Sequence, residues 1–148
     1  MRVLVQRSLN SSVSTNSNVV GSIDNGLVLF VGFTYGDSLN EIDYLVKKVL
    51  NLRIFDDENG VMNKSILDVG GSVLSISQFT LYADSKKGNR PSYMNALKSD
   101  EALKLYDLFN KKLSEYVDVR TGKFGADMIV NINNSGPVTI LLEKEREK

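Results

Sequence analysis

Asn25-Gly26-Leu27-Val28-Leu29-Phe30-Val31-Gly32-Phe33 sets five consecutive apolar residues behind a turn dipeptide. An unbroken apolar run of this length reads as a strand covered on both faces. Asn and Gly both tolerate positive φ, so Asn25-Gly26 predicts a hairpin back to the strand before it. Upstream, Arg2 to Arg7 carries Val3, Leu4 and Val5 and reads as a second buried strand. Ser11 to Thr15 and Asn18 to Asp24 give two more, joined through Asn16-Ser17. Downstream the period changes. Ser38-Leu39-Asn40-Glu41 has the spacing of a capping box. Apolar residues then recur at Leu39, Ile42, Val46, Val49 and Leu50, which predicts a helix to about Leu52.

The rest of the chain continues in the same style. Short strands are expected at Arg53 to Phe55, Val73 to Ser77, Asp118 to Thr121, Ala126 to Asn133 and Val138 to Glu143. A second helix is expected from Asp100 to Tyr116, with Ala102, Leu105, Tyr106, Phe109, Leu113 and Tyr116 on one face. Lys144 to Lys148 reads as a charged, frayed tail. Runs of strands with two separate helices predict one α+β domain over residues 1–148, its sheet mostly antiparallel.

Composition narrows the chemistry. The chain has 148 residues, no Cys and no His, and a formal net charge of zero. Without Cys there is no disulfide and no thiol nucleophile. Without His, a histidine-based triad is impossible and a zinc site would need carboxylates alone. Catalysis must come from carboxylates, hydroxyls, amides, Lys, Tyr, the backbone or the substrate itself, with no cofactor and no metal. A neutral chain gains little general attraction to nucleic acid, so RNA contact should be local and at a chain end. No window approaches the roughly 18 apolar residues of a membrane helix, and the start of the chain does not look like a secretory leader. The expected setting is the cytoplasm, with no membrane and no DNA partner.

Five segments are candidate sites. Ser77-Gln78-Phe79-Thr80-Leu81-Tyr82 follows a buried strand, where main-chain N–H groups leave the ladder and can face a developing oxyanion. The bland alternative is an edge strand with alternating polar residues. Gly136-Pro137 offers two stiff carbonyls able to accept hydrogen bonds from an ammonium group. Its alternative is a plain hairpin turn, with the trans peptide that most X-Pro bonds adopt. Lys86, Lys87 and Arg90 flank Gly88 in a loop suited to phosphates, with Tyr93 nearby to stack on a base; a solvated basic surface is the alternative. Thr121-Gly122-Lys123-Phe124-Gly125-Ala126 lacks P-loop spacing and reads as a tight turn. Asp56-Asp57-Glu58 has no calcium-loop spacing and reads as a solvated turn.

These strings, in this order, resemble the D-aminoacyl-tRNA deacylase family. The likeness runs from Met1-Arg2-Val3 and Val5-Gln6-Arg7 through Asn51-Leu52-Arg53-Ile54-Phe55 and Met62-Asn63. It continues through Ser77-Gln78-Phe79-Thr80-Leu81-Tyr82, Gly88-Asn89-Arg90-Pro91-Ser92, Gly122 to Met128 and Gly136-Pro137-Val138-Thr139. The resemblance implies a cytoplasmic homodimer of α+β fold, with mostly antiparallel sheets, a partial barrel and two main helices. It implies hydrolysis of the ester between tRNA and a D-amino acid or glycine. Ser77, Gln78, Phe79 and Thr80 would form the catalytic segment, and Gly136, Pro137, Arg7 and Met128 the substrate-binding set. Lys86, Lys87 and Arg90 would meet the tRNA acceptor end. A cis Gly136-Pro137 bond, reaching across subunits, is also implied. Ser135 and Tyr93 stand where the family commonly has Asp and Phe.

Overall fold

The computed structural model describes residues 1–147; Lys148, the end of the expected tail, lies outside them. Four strands open the chain: β1 (Arg2–Ser8), β2 (Ser11–Thr15), β3 (Asn18–Ile23) and β4 (Gly26–Gly32). Helix α1 (Leu39–Asn51) follows, then β5 (Phe55–Asp56), β6 (Met62–Lys64) and the short α2 (Ile66–Val69). Strand β7 (Ser72–Ser77) runs into a 3₁₀ turn over Phe79–Tyr82. Helix α3 (Ser99–Ser114), β8 (Val119–Thr121), β9 (Ile129–Asn131) and β10 (Asn134–Glu143) complete the fold.

The main sheet has the order β10-β1-β4-β7-β8, and a second sheet the order β3-β2-β9. Strand β4 sits at the centre and is covered on both faces, as its unbroken apolar run requires. Leu27, Leu29 and Val31 face α1 and α3, packing with Ile42, Leu45, Val49, Phe109 and Leu113. Val28 faces the other way, with Leu74 and Ile76, onto Val13 and Ile23 of the second sheet. Fully burying a side chain such as Phe109 contributes roughly 1.5–3 kcal/mol.

The capping box at Ser38 is formed: Glu41 accepts the Ser38 N–H at 2.9 Å. The helix buries Ile42, Val46, Val49 and Leu50 as expected, adds Leu45, and leaves Leu39 in the open first turn. Helix α2 went unread in the sequence. Its signal was Ser65 with Asp68 three residues on, a second capping box, and Gly70 at φ 66° closing it. Lys144 is still tied down, its N–H donating to the Met1 carbonyl at 3.0 Å.

Three expectations change. Asn25-Gly26 is not a hairpin, because β3 and β4 lie in different sheets. The dipeptide instead carries the chain from one sheet to the other. Gly26 has φ 150°, and a Cβ there would fall 1.8 Å from the Ser72 carbonyl oxygen. Close backbone approach, not turn type, requires this glycine. Second, the antiparallel pairing includes two parallel exceptions, β4–β7 and β7–β8. Third, the sheets do not close into a barrel. They pack through Val13, Ile23, Val28, Leu74 and Ile76, and a Cβ on Gly21 would lie 2.6 Å from the Thr121 carbonyl oxygen.

Candidate active site

Strand β7 delivers Ser77 to the surface at the point where pairing ends. Gln78 makes the last ladder bond, its N–H donating to the Val31 carbonyl at 2.8 Å. The backbone then tightens into the 3₁₀ turn, so the edge-strand alternative for this segment is wrong. The first N–H groups of any helical turn have no partner inside it. Among the described residues nothing accepts the N–H of Phe79 or of Thr80. The Gln78 amide donates to the Thr80 hydroxyl. Phe79 and Thr80 are exposed, Ser77 and Gln78 half-buried.

A cavity of about 420 Å³ opens beside this turn. Ser77, Gln78 and Phe79 form one wall; Phe124, Asp127 and Met128 belong to the other. The predicted tight turn is present, the Ala126 N–H donating to the Lys123 carbonyl at 3.2 Å with Gly125 at φ 76°, and residues 124–128 also form a pocket wall. A Cβ on Gly122 would meet Met128 Sδ and push that side chain from its place. Met128, named only through resemblance, does line the cavity. Phe124 and Asp127 also line it, though neither was given a role in the site from sequence. Their signal was two glycines, at 122 and 125, around an aromatic residue in a seven-residue connection.

Lys86, Lys87 and Arg90 are all exposed on one loop, whose neck is closed by paired hydrogen bonds between Asp84 and Ser92 at 2.8 Å each. The neck begins two residues after the 3₁₀ turn. It is also tied to the site through Tyr93, whose ring meets Phe79 edge-on at 5.2 Å. The Asp57 carboxylate, by contrast, holds its own turn through the N–H groups of Asn59 and Val61.

Gly136-Pro137 is cis, as the resemblance implied and against the general trans preference. It is not a hairpin turn either, because it lies inside β10. Gln6 pairs with Thr139 and Ser8 with Asn134, so Ser135 to Val138 bulge out opposite Arg7 alone. Asn134 holds the neck of the bulge. Its amide donates to the carbonyls of Arg7 and Val138, both at 3.0 Å, and accepts from the Thr139 hydroxyl at 3.2 Å. Arg7 braces the bulge from below. Its Nε donates to the Ser135 carbonyl at 3.2 Å and its Nη1 to the Ile54 carbonyl at 2.9 Å. Asp56 pairs with the same Nη1 at 3.4 Å. The brace thus uses the Ser135 main chain, so Ser at this position costs that contact nothing. The Gly136 and Pro137 carbonyls are not the ones Arg7 takes.

Within one chain the two halves of the predicted site are apart. Arg7 pairs with Leu27 and Leu27 with Val73. The bulge is therefore three strands across from β7 and four residues short of Ser77. At about 4.8 Å per strand and about 3.3 Å per residue, this is roughly 19 Å.

An α+β hydrolase-like cleft with unpaired main-chain amides and no His or Cys defines the class. Comparison with known proteins gives the family. The family model described as D-Tyr-tRNA(Tyr) deacylase matches residues 4–143, and this chain belongs to that family. A protein of Geobacillus sp. (strain WCH70) named D-aminoacyl-tRNA deacylase is 51% identical over 148 residues, covering 99% of this chain and 97% of the relative. One of Bacillus cytotoxicus with the same name is 53% identical over 146 residues, covering 98% of this chain and 100% of the relative. Among solved structures, a "c-Myc DNA Unwinding Element Binding Protein" superposes with TM-score 0.94 at 37% identity, covering 99% of this chain and 100% of that one. A "probable eukaryotic D-amino acid tRNA deacylase" shares the fold, with TM-score 0.79 at 18% identity over 95% of this chain and 97% of that one.

Proposed function

We propose that this chain is a D-aminoacyl-tRNA deacylase that works as a cytoplasmic homodimer. It hydrolyses the ester between the tRNA 3′ end and a D-amino acid, and also releases glycine mischarged on tRNA. The observation that carries the reading is the pair of unclaimed N–H groups on Phe79, which lines a cavity, and on Thr80, the next residue in the turn. An aminoacyl ester is already labile, so orientation and oxyanion stabilisation supply the catalysis. The two amides hold the scissile carbonyl oxygen. The 2′-hydroxyl of the terminal adenosine positions the attacking water, with Gln78 and the Thr80 hydroxyl supporting that geometry. Thr80 is not the nucleophile in this scheme. The side chain bonded to its hydroxyl is the Gln78 amide, which is no base, and activation needs one.

Chirality is read by a carbonyl pair. The Gly136 and Pro137 carbonyls of the partner subunit take the substrate ammonium. With ammonium and ester both fixed, an L-side chain runs into the Gly-Pro backbone, whereas glycine has nothing to exclude. Two features support a second copy. The chain's own bulge is too far from its own Ser77. Leu4, Phe30 and Leu141 also pair side by side across β1, β4 and β10 on the face away from the helices, and Leu141 is 48% exposed. Such an apolar row on an edge strand suits coverage by another chain. Lys86, Lys87 and Arg90 meet the acceptor-stem phosphates.

The test is to incubate D-Tyr-tRNA and L-Tyr-tRNA with the protein and follow ester loss. Selective loss of the D-ester supports the proposal. The DNA-binding name of one structural relative favours a second reading, nucleic-acid binding without chemistry. Retention of bound nucleic acid with both esters intact would establish that reading instead.

A further inference from the structure

Tyr106 of α3 touches one wall of the cavity and the strand that leads into the other, without lining it. Its hydroxyl donates to the Ser75 carbonyl at 2.7 Å, in the buried interior. Ser75 pairs with Thr121 at the last rung between β7 and β8. From that rung the two walls leave: Ser77 is two residues further along β7, and Gly122 directly follows Thr121. The Tyr106 ring also meets the ring of Phe124, which lines the opposite wall, at 5.8 Å between centroids. Ser75 makes this reach possible. It faces α3, alternating with the apolar residues Leu74 and Ile76 that face the second sheet. A branched apolar side chain there would fill the space through which the phenol meets the strand backbone. Burial pushes the Tyr106 phenol above its ordinary value, so it stays protonated and keeps donating.

We propose that Tyr106 is a positioning residue for the deacylation reaction, setting the gap between the Ser77–Thr80 turn and the Phe124 wall. This rests on the function proposed above. One side chain fixes the strand end that aims the Phe79 and Thr80 amides and the aromatic ring that faces them. Loss of the hydroxyl loosens β7 at Ser75, ahead of its last bonds to β4, while the ring contact remains. The amides then drift from the oxyanion position, an error that acts on the chemical step more than on binding.

The experiment compares Tyr106→Phe with Phe109→Leu, a core substitution on the same helix. Each is measured by thermal unfolding, by the amide NMR signals of the free protein, and by kcat and KM on D-Tyr-tRNA. Tyr106→Phe is expected to move the Phe79 and Thr80 amide signals and to lower kcat roughly three- to tenfold, with KM within about twofold. Phe109→Leu is expected to lower the melting temperature at least as much while leaving those signals and kcat in place. If Tyr106→Phe leaves either the two amides or kcat unchanged, or if Phe109→Leu produces the same pattern, the positioning role is overturned. The NMR arm needs no turnover. Absence of D-ester cleavage by the unmodified protein would therefore sink the proposed function, and unmoved amides would sink this inference alone.

Discussion

Replacing Arg7 by Lys isolates the brace under the Gly136-Pro137 bulge. The substitution keeps the positive charge and most of the stem, and removes the fork. In the native chain Nε and Nη1 serve two carbonyls at once, those of Ser135 and Ile54. A single ammonium on a flexible stem cannot hold both in this geometry. One charge-assisted hydrogen bond is therefore lost, at about 1.5–3 kcal/mol. The Asp56 pair adds little either way, since its carboxylate side chain is 54% exposed and screened by water. For a domain of this size each kcal/mol moves the melting temperature by about 2–4 °C, so a fall of roughly 3–12 °C is expected. Thermal unfolding followed by circular dichroism measures it. The bulge should also loosen, so the ratio of D-Tyr-tRNA to L-Tyr-tRNA cleavage should fall in the same variant. An Arg7→Lys protein with the native melting temperature and the native D/L ratio would refute the bracing argument.

Gly136→Ala should destabilise the bulge directly. Gly136 has φ 118°, and an added Cβ would stand 2.9 Å from both Arg7 Nη2 and Val138 Cγ2. The expected loss is about 1–3 kcal/mol, read by urea denaturation. The double variant Lys86→Ala with Lys87→Ala should raise the KM for charged tRNA and flatten its dependence on salt by about two counterions, as a titration of activity against ionic strength will show. Tyr82→Phe should be nearly neutral at pH 7, because the buried hydroxyl has no hydrogen-bond partner among the described residues. At alkaline pH it should help. Burial pushes the Tyr82 phenol above its ordinary value of about 10. Above pH 10 the unfolded chain therefore loses this proton while the folded chain keeps it, and stability falls as pH rises. Removing the phenol should reduce that slope by up to about 1.4 kcal/mol per pH unit, measured by denaturant unfolding between pH 9.5 and 11.

The fold was legible where local signals and burial agreed. The apolar run Leu27 to Val31 identified a central strand, and Ser38 with Glu41 located the start of α1. Both signals depend on contacts that short stretches of chain make in any context. Asn25-Gly26 misled for the opposite reason. A turn dipeptide states which φ values are permitted, not which strand will be the partner, and here the partner of β4 came from elsewhere.

The absence of His and Cys, read from composition alone, excluded a histidine triad and a thiol nucleophile. The order of motifs pointed to the family. What the linear chain could not state was distance. Only the folded sheet puts Gly136-Pro137 in a bulge opposite Arg7, roughly 19 Å from the chain's own Ser77. Likewise, only the packing of α3 against β7 brings Tyr106 onto Ser75, 31 positions earlier in the chain. Residue types fix which bonds can form; the register of strands and the crossing of helices fix which groups come close enough to form them.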